Sequence, residues 1–450
     1  MNAEERLALV REIDLARNCS HPIRLTGEVV STETGEVNSK RLLVACKDRR
    51  EVVCPACAYL YRADAWILVS TGLIGGKGTP ASVASHPRLF VTLTAPSFGS
   101  VHTITASGGC VVRRDPLRES TDGAISRTFG DASRDFFERA SQETHAHVPV
   151  CTQRHELDDP VLGKPLRPEF FDYDGAVLWN AHVSRLWNNT VQLIRRLLAE
   201  VGGLNQVRLR RAAQLHYLKV AEVQRRGLVH LHVILRVDGP EGAISEPPSW
   251  ITSELLAEVI RRAVRRASVT DLRSRELRWG TIMDIRDLVS EPSGAPRVSS
   301  YIAKYATKTT GGRSELARRF RSRRQIVSVV GDPHVRRLAL AAWDLGGRSE
   351  LAHLRLRDHA HALGFTGQLI TKSRGYSTTF RELREARTSF MVASSGVTSL
   401  AGTFHYEGRG YDDPRSSAWA EVLFAMQREL REEAFEARRG ADHDGFGDPS

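Results

Sequence analysis

The chain alternates apolar and polar residues most regularly in two neighbouring segments, "AQLHYLKVAEVQ" (213–224) and "LVHLHVILRVDG" (228–239). Alternation of this length predicts strands, and the short Arg225-Arg226-Gly227 between them predicts a hairpin. Upstream, "LFVTLTAPSF" is β-branched and aromatic and stops at Pro96, which predicts a further strand. "AVLWNAHVSRLWNNTVQLIRRLLAEVGG" instead repeats apolar residues at helical spacing, predicting a helix over about 176–200. A second helix is expected in "PSWITSELLAEVIRRAVRRAS", started by Ser249 or Thr252. "LRWGTIMDIRDL" reads as a strand, and "VSSYIAKYATKTTGG" as a short helix with a serine cap and a glycine stop. This order lacks parallel strand–helix–strand units and predicts an α+β fold on an antiparallel sheet. Near the N-terminus, "VVCPACAYLYRADAWILVSTGL" reads as a tight turn and a helix, followed by a Gly/Pro/Ser-rich connection at 75–88.

Candidate chemistry begins inside the hairpin. His230 and His232 project from one face of their strand, while Leu231, Val233 and Leu235 line the other. Two imidazoles in that register suit a divalent ion, although a hydrogen-bonded core histidine has the same local pattern. If the turn takes residues 225–227, Glu222 sits opposite His230 on the same face. Two nitrogens and a carboxylate would accept Mg²⁺ or Mn²⁺ and leave positions for substrate oxygens. Gln224 is the rival to Glu222 should the register slip. In "VSSYIAKYATK", Tyr301 and Tyr305 are four apart, as are Lys304 and Lys308, so each pair stacks on one helix face. A tyrosine hydroxyl with a pKa of about 10 needs help to attack a phosphodiester. A neighbouring ammonium and a metal-polarised phosphate supply it. The plain alternative is an amphipathic helix with buried tyrosines and solvated lysines.

Taken in order, "FVTLT" (90–94), "HLHVIL" (230–235) and "YIAKYATK" (301–308) resemble the three motifs of the HUH endonucleases. The nearest likeness is to rolling-circle replication initiators of actinobacterial plasmids. The resemblance implies an HUH-type antiparallel sheet flanked by helices, and a protein that nicks one strand of a replication origin. Tyr301, at the position shared by one- and two-tyrosine versions of the motif, would retain the 5′-phosphate at the first cut. Tyr305 could take over the strand in a second transfer, and the freed 3′-hydroxyl would prime synthesis. Lys304 would position the ion or offset charge on the phosphate. A relaxase or transposase of the same chemistry is the near rival, and a non-catalytic zinc-containing DNA-binding protein the distant one.

Cys19, Cys46, Cys54 and Cys57 lie within the first 57 residues, and Cys54-Pro-Ala-Cys57 has the spacing that lets two thiolates hold one ion. A structural Zn²⁺ is expected there, with His21 an alternative to Cys19. Related initiators tend to carry another cysteine pair around 151–170. This chain has Cys151 but Arg167 and Phe170, so a second metal site is not expected, and Cys151 and His155 are expected to be structural or unremarkable. "TGLIGGKGT" lacks the glycine and hydroxyl residue of a phosphate loop, because Thr71 and Gly78 stand in those places. Unwinding is therefore expected from a host helicase and extension from a host DNA polymerase. "HAHVPVC" offers another His-x-His but in polar loop sequence, and is discounted.

Charge adds a partner. Lys and Arg number 64 against 53 Asp and Glu, a formal net charge of +11 over 450 residues. The excess is concentrated in "GGRSELARRFRSRRQ", with Arg313, Arg318, Arg319, Arg321, Arg323 and Arg324. With Arg226 and Lys308, the last five are expected to grip double- and single-stranded origin DNA. No apolar run approaches a membrane span and the first residues lack a signal-peptide core, so a cytoplasmic protein with reduced cysteines and no membrane partner is expected. The expected organisation is a cysteine-rich zinc-binding region (1–75), a nicking domain (85–325) with an irregular insertion around 107–175, and a mostly helical C-terminal region (326–450) with a frayed acidic tail.

Overall fold

The computed structural model describes residues 3–31, 37–103, 151, 153–156, 158–271, 274–289, 294–308, 312–395 and 400–444. Its helices are α1 (Ala3–Leu15), α2 (Pro55–Ile74), α3 (Tyr173–Val201), α4 (Gln206–Ala212), α5 (Ser253–Arg266), α6 (Gly294–Ala306), α7 (Arg323–Val329), α8 (Pro333–Leu345), α9 (Phe380–Ser395) and α10 (Pro414–Asp444). The strands are β1 (Ile23–Ser31), β2 (Val37–Val44), β3 (Arg88–Leu93), β4 (Gln214–Val223), β5 (Val229–Asp238), β6 (Ser268–Thr270), β7 (Glu276–Arg278), β8 (Met283–Asp287), β9 (Ile370–Lys372) and β10 (Leu400–Arg409). Most of the expected insertion, residues 104–150 with both histidines of "HAHVPVC", lies outside the described residues.

Two compact units emerge. One holds residues 69–305 and 310–377, the other 1–68, 306–309 and 378–450. The expected C-terminal region is thus divided. Residues 326–377 belong with the larger sheet, to which they contribute β9, whereas β10 pairs along its full length with β1. The tail expected to fray forms α10 as far as Asp444.

In the first unit, five antiparallel strands run in the order β8-β3-β5-β4-β9, with the two-histidine strand β5 at the centre. Odd-numbered residues of β3 and β5 (Leu89, Val91, Leu231, Val233, Leu235) are buried in a core shared with α3 and α5. The helices suit this face. α3 buries Trp179, Trp187 and Ile194 along one stripe, and α5 buries Leu256, Ile260 and Val264. Two indoles on that side are satisfied, Trp179 donating to the Arg278 carbonyl and Trp279 to the Thr190 hydroxyl, each at 2.9 Å. The single strand expected at 277–288 is divided here. Gly280 breaks it because its backbone approaches Ala95 so closely that a Cβ would stand 2.5 Å from that carbonyl oxygen.

The opposite, even-numbered face carries polar groups at both ends. Far from the histidines, Arg236 makes a two-pronged bond to Asp238 at 2.7 and 2.8 Å, and His86 Nδ1 meets the same carboxylate at 2.7 Å. Arg88 donates to the carbonyls of Leu73 and Val83, and Arg236 to that of Gly72. Two guanidiniums thereby satisfy the last carbonyls of α2, where the helix dipole is negative.

A buried cation with a different status sits at the middle of β4. Lys219 is 5% exposed, and desolvation alone pushes its ammonium down from 10.5 to about 8. Because its folded pKa is depressed, charging it opposes folding at pH 7, and stability should rise between about pH 8 and 10.5. Lys219→Met should stabilise the protein by up to about 3 kcal/mol at pH 7. Urea unfolding at pH 7 and at high pH checks this, since the advantage should shrink as the lysine deprotonates.

Candidate functional site

The β4–β5 turn is fixed from three sides. Gln224 N–H donates to the Leu228 carbonyl at 2.9 Å and Gly227 N–H to the Gln224 carbonyl at 2.8 Å. Gly227 adopts φ +78°, and a Cβ there would stand 2.2 Å from the Leu338 side chain. The buried Asn180 of α3 donates to the Gly227 carbonyl and accepts from Val229 N–H. A side chain on the far helix thus sets where β5 begins.

That anchoring gives the register the turn predicts, with Glu222 opposite His230 and His232 between Val220 and Thr92. The side chains lean diagonally within it. His232 Nε2 bonds the Glu222 carboxylate at 3.1 Å, and its Nδ1 lies 3.3 Å from the Thr92 hydroxyl. His230 Nδ1 takes the amide of Gln224 at 3.0 Å, while its buried Nε2 has no hydrogen-bond partner in the described structure. Burial, then the nearby His232 and Arg226, pushes His230 down to about 3, so its ring is neutral at physiological pH. Arg226 is held inside this framework. Its guanidinium donates to Gln224 Oε1 and to the carbonyls of Ala95 and Pro96, and burial lowers it to about 10. It braces the turn.

α6 carries both tyrosines to the same sheet face. The Tyr301 and Tyr305 rings are 4.8 Å apart and lie 5.1 and 5.2 Å from the His232 ring, Tyr305 stacked on it at 27°. Phe90 closes the cluster, 6.0 Å from both His232 and Tyr301. Tyr301 is 40% exposed. Tyr305 is half-buried, and burial, a hydrogen bond with Tyr301 and the Glu222 charge push its hydroxyl well above the ordinary phenol value. Lys304 is exposed on the same helix. Lys308 lies two residues beyond the end of α6 at Ala306. The expected serine cap fails. α6 begins at Gly294, and Ser299 is interior, its hydroxyl donating to the Ala295 carbonyl at 2.8 Å.

The arginine segment is broken rather than one helix face. A short 3₁₀ turn at Ser314–Leu316 precedes α7, which Ser322 caps. Arg318, Arg319, Arg321, Arg323 and Arg324 are exposed, with Arg323 3.2 Å from Asp344, whereas Arg313 pairs with Asp332 at 3.1 Å.

In the second unit Cys19, Cys46, Cys54 and Cys57 converge, all four sulfurs within 4.8 Å of one another; His21 is not part of the group. Cys54 and Cys57 flank the start of α2, Cys19 follows α1, and Cys46 follows β2. The Cys46–Cys57 and Cys19–Cys54 sulfurs are 3.6 and 3.7 Å apart. Four Zn–S bonds of about 2.3 Å at tetrahedral angles require edges of about 3.8 Å, so the spacing fits. Backbone N–H groups of Cys46 and Asp48 point at the Cys19 and Cys46 sulfurs, and Lys47 turns the chain at φ +56° to allow it.

Among the described residues, one other group brings three such donors within 4.8 Å: His102, Cys151 and His155. His230, His232 and Glu222 do not meet that limit. Their fit to an ion rests on the donor set, two imidazoles and a carboxylate, and on the unpartnered His230 Nε2. Sequence reasoning missed Thr92, Asn180 and His102. The first two support the histidines through hydrogen bonds that no local pattern announces.

No solved structure matches the chain. A family described as "Replication initiator protein, pSAM2" matches residues 7–425. A replication initiator protein of Streptomyces ambofaciens is 34% identical over 444 residues, covering 93% of this chain and 88% of the relative. With a match over nearly its whole length, the chain belongs to the replication initiator protein family of pSAM2.

Proposed function

We propose that the protein is an HUH-type endonuclease that nicks one strand of plasmid origin DNA by tyrosine transesterification. The observation that carries this reading is the meeting of His230, His232 and Glu222 with Tyr301 and Tyr305 on one sheet face. Tyr301 Oη attacks the scissile phosphorus. One P–O bond forms to the tyrosine, the bond to the 3′-oxygen breaks, and the phenolic proton passes to that oxygen. The 5′-phosphate stays on the tyrosine, and the 3′-hydroxyl primes a host polymerase behind a host helicase. His230, His232 and Glu222 would hold Mg²⁺ or Mn²⁺, which supplies Lewis-acid polarisation of the scissile phosphate when bound. Lys304 offsets charge on the phosphate. The greater exposure of Tyr301 and the raised pKa of Tyr305 support the order, with Tyr305 taking the strand in a second transfer that closes the circle. The four cysteines hold a structural Zn²⁺ in this reading, supported by their sulfur spacing.

The test is to incubate the protein with labelled single-stranded origin DNA and Mn²⁺, and map the covalent adduct by mass spectrometry. Tyr301 should carry it, and Tyr301→Phe should lose initial nicking. Tyr305→Phe should nick but fail in strand transfer. An adduct on Tyr305 alone reverses the order, and an adduct on neither removes the mechanism.

The exposed arginines supply the grip. Binding to single strands should weaken steeply with salt, each neutralised phosphate adding about 0.7 to the log–log slope. Replacing Arg321, Arg323 and Arg324 together should flatten the slope by about 2. An unchanged slope in a salt titration by fluorescence anisotropy would place that cluster away from DNA.

A further inference from the structure

We propose that His102, Cys151 and His155 form a second metal site, suited to a borderline divalent transition ion and best to Zn²⁺. His155 Nε2 is its hub, with His102 Nδ1 at 3.2 Å and Cys151 Sγ at 3.3 Å. Ordinary Zn–N and Zn–S bond lengths at tetrahedral angles place two nitrogens about 3.3 Å apart and a nitrogen and a sulfur about 3.6 Å apart. The donors already stand close to those edges.

The other ring nitrogen strengthens the case. His155 Nδ1 is 2.7 Å from Asp159 Oδ2, and the His155 side chain is 1% exposed. A carboxylate only accepts, so Nδ1 carries a proton and Asp159 fixes the ring's orientation, as outer carboxylates do for metal-bound histidines. A Cys–His–carboxylate nucleophile would use the same two bonds but has no need of His102. In either protonation state Nε2 offers one proton or one lone pair, yet it faces two partners at nearly equal distance. A cation among the three satisfies all of them together.

The surrounding backbone is built to hold this arrangement. His102 N–H donates to the Lys164 carbonyl and its own carbonyl accepts from Gly163 N–H, each at 2.9 Å. Asp159 Oδ1 caps Val161 N–H at 2.9 Å, and the Asp159 carbonyl takes Arg225 Nη1 at the same distance. Arg225 belongs to the β4–β5 turn, whose Gln224 bonds His230. The ion would therefore pin two loop segments against the turn beneath the histidine pair, with its fourth position left to water or another oxygen donor.

The test uses the full chain purified without chelator. Elemental analysis should find two zinc ions per chain, and His155→Ala and Cys151→Ser should each lose one. Cobalt(II) titration of the unaltered chain covers the case in which a variant misfolds. Two sets of absorption bands are expected, one from four thiolates and one from a single thiolate with nitrogens. Zinc content unchanged by both substitutions, a four-thiolate spectrum alone, or rapid alkylation of Cys151 in zinc-replete protein would overturn the proposal. None of these readouts depends on nicking, so the site stands or falls separately from the endonuclease reading.

Discussion

His230→Ala is expected to slow single-strand cleavage about a thousandfold, equivalent to about 4 kcal/mol of transition-state stabilisation, while Kd for the same oligonucleotide changes less than threefold. The two effects separate because the proposed ion acts on the reacting phosphate, whereas affinity would, in the same proposal, come from dispersed exposed arginines such as Arg318 and Arg321. His230 is the better choice than His232 for this experiment. The His232 ring packs against Phe90, Tyr301 and Tyr305, so its removal also disturbs the tyrosines. Among the described residues, the ring contact of His230 is with His232, and its Nδ1 bonds Gln224. Cleavage measured under single-turnover conditions with added Mn²⁺, alongside a melting curve, reads the chemistry apart from the fold. A variant that cleaves at the normal rate in chelator-treated buffer would exclude the histidine pair from the mechanism.

The second large effect concerns the cysteines. Cys54→Ser, or strong chelation, should unfold the unit containing residues 1–68 and 378–450. Structural zinc contributes about 10–16 kcal/mol in small domains, against a total stability of about 5–15 kcal/mol, so loss of the proposed ion would consume most or all of the margin. Limited proteolysis should then cut within residues 1–68 at rates typical of unfolded chain, while the β3–β5 core stays protected. Equal protection with and without chelator would mean that hydrophobic packing around Ile13, Tyr411 and Phe424 suffices.

Much of the sheet was legible because its signals are local. The period-two run through β4 and β5 and the glycine at the turn determine both the hairpin and its register, and hence the pairing of Glu222 with His230. The helical spacing of α3 is equally local, and it ends within a residue or two of expectation. What escaped depends on distant partners. "LAGTFHYEGR" pairs with β1 as β10, yet its described side chains, from Thr403 on, are half-exposed or exposed, and no buried stripe marks them. Arg88 and Arg236 are buried charges whose partners include the distant carbonyls of Leu288 and Gly72, with Asp238 also pairing Arg236, whereas charge in a strand ordinarily signals a solvent face. His102, Cys151 and His155 belong to segments separated by some fifty residues, and their spacing matches no metal motif. The carbonyls of Ala95 and Pro96 that receive Arg226 are equally invisible in the sequence, which shows only its charge.

The pairing of β1 with β10 bears on how the protein is made. Ser31 lies opposite Leu400 and Ile23 opposite Arg409, so the first long strand to leave the ribosome waits about 370 residues for its partner. At about 5–20 residues per second that delay is on the order of 20–70 seconds. The three-stranded sheet beside the cysteines therefore cannot close on a nascent chain or on one cut short before residue 400. An interrupted product would expose the unpaired edge of β1 and invite degradation.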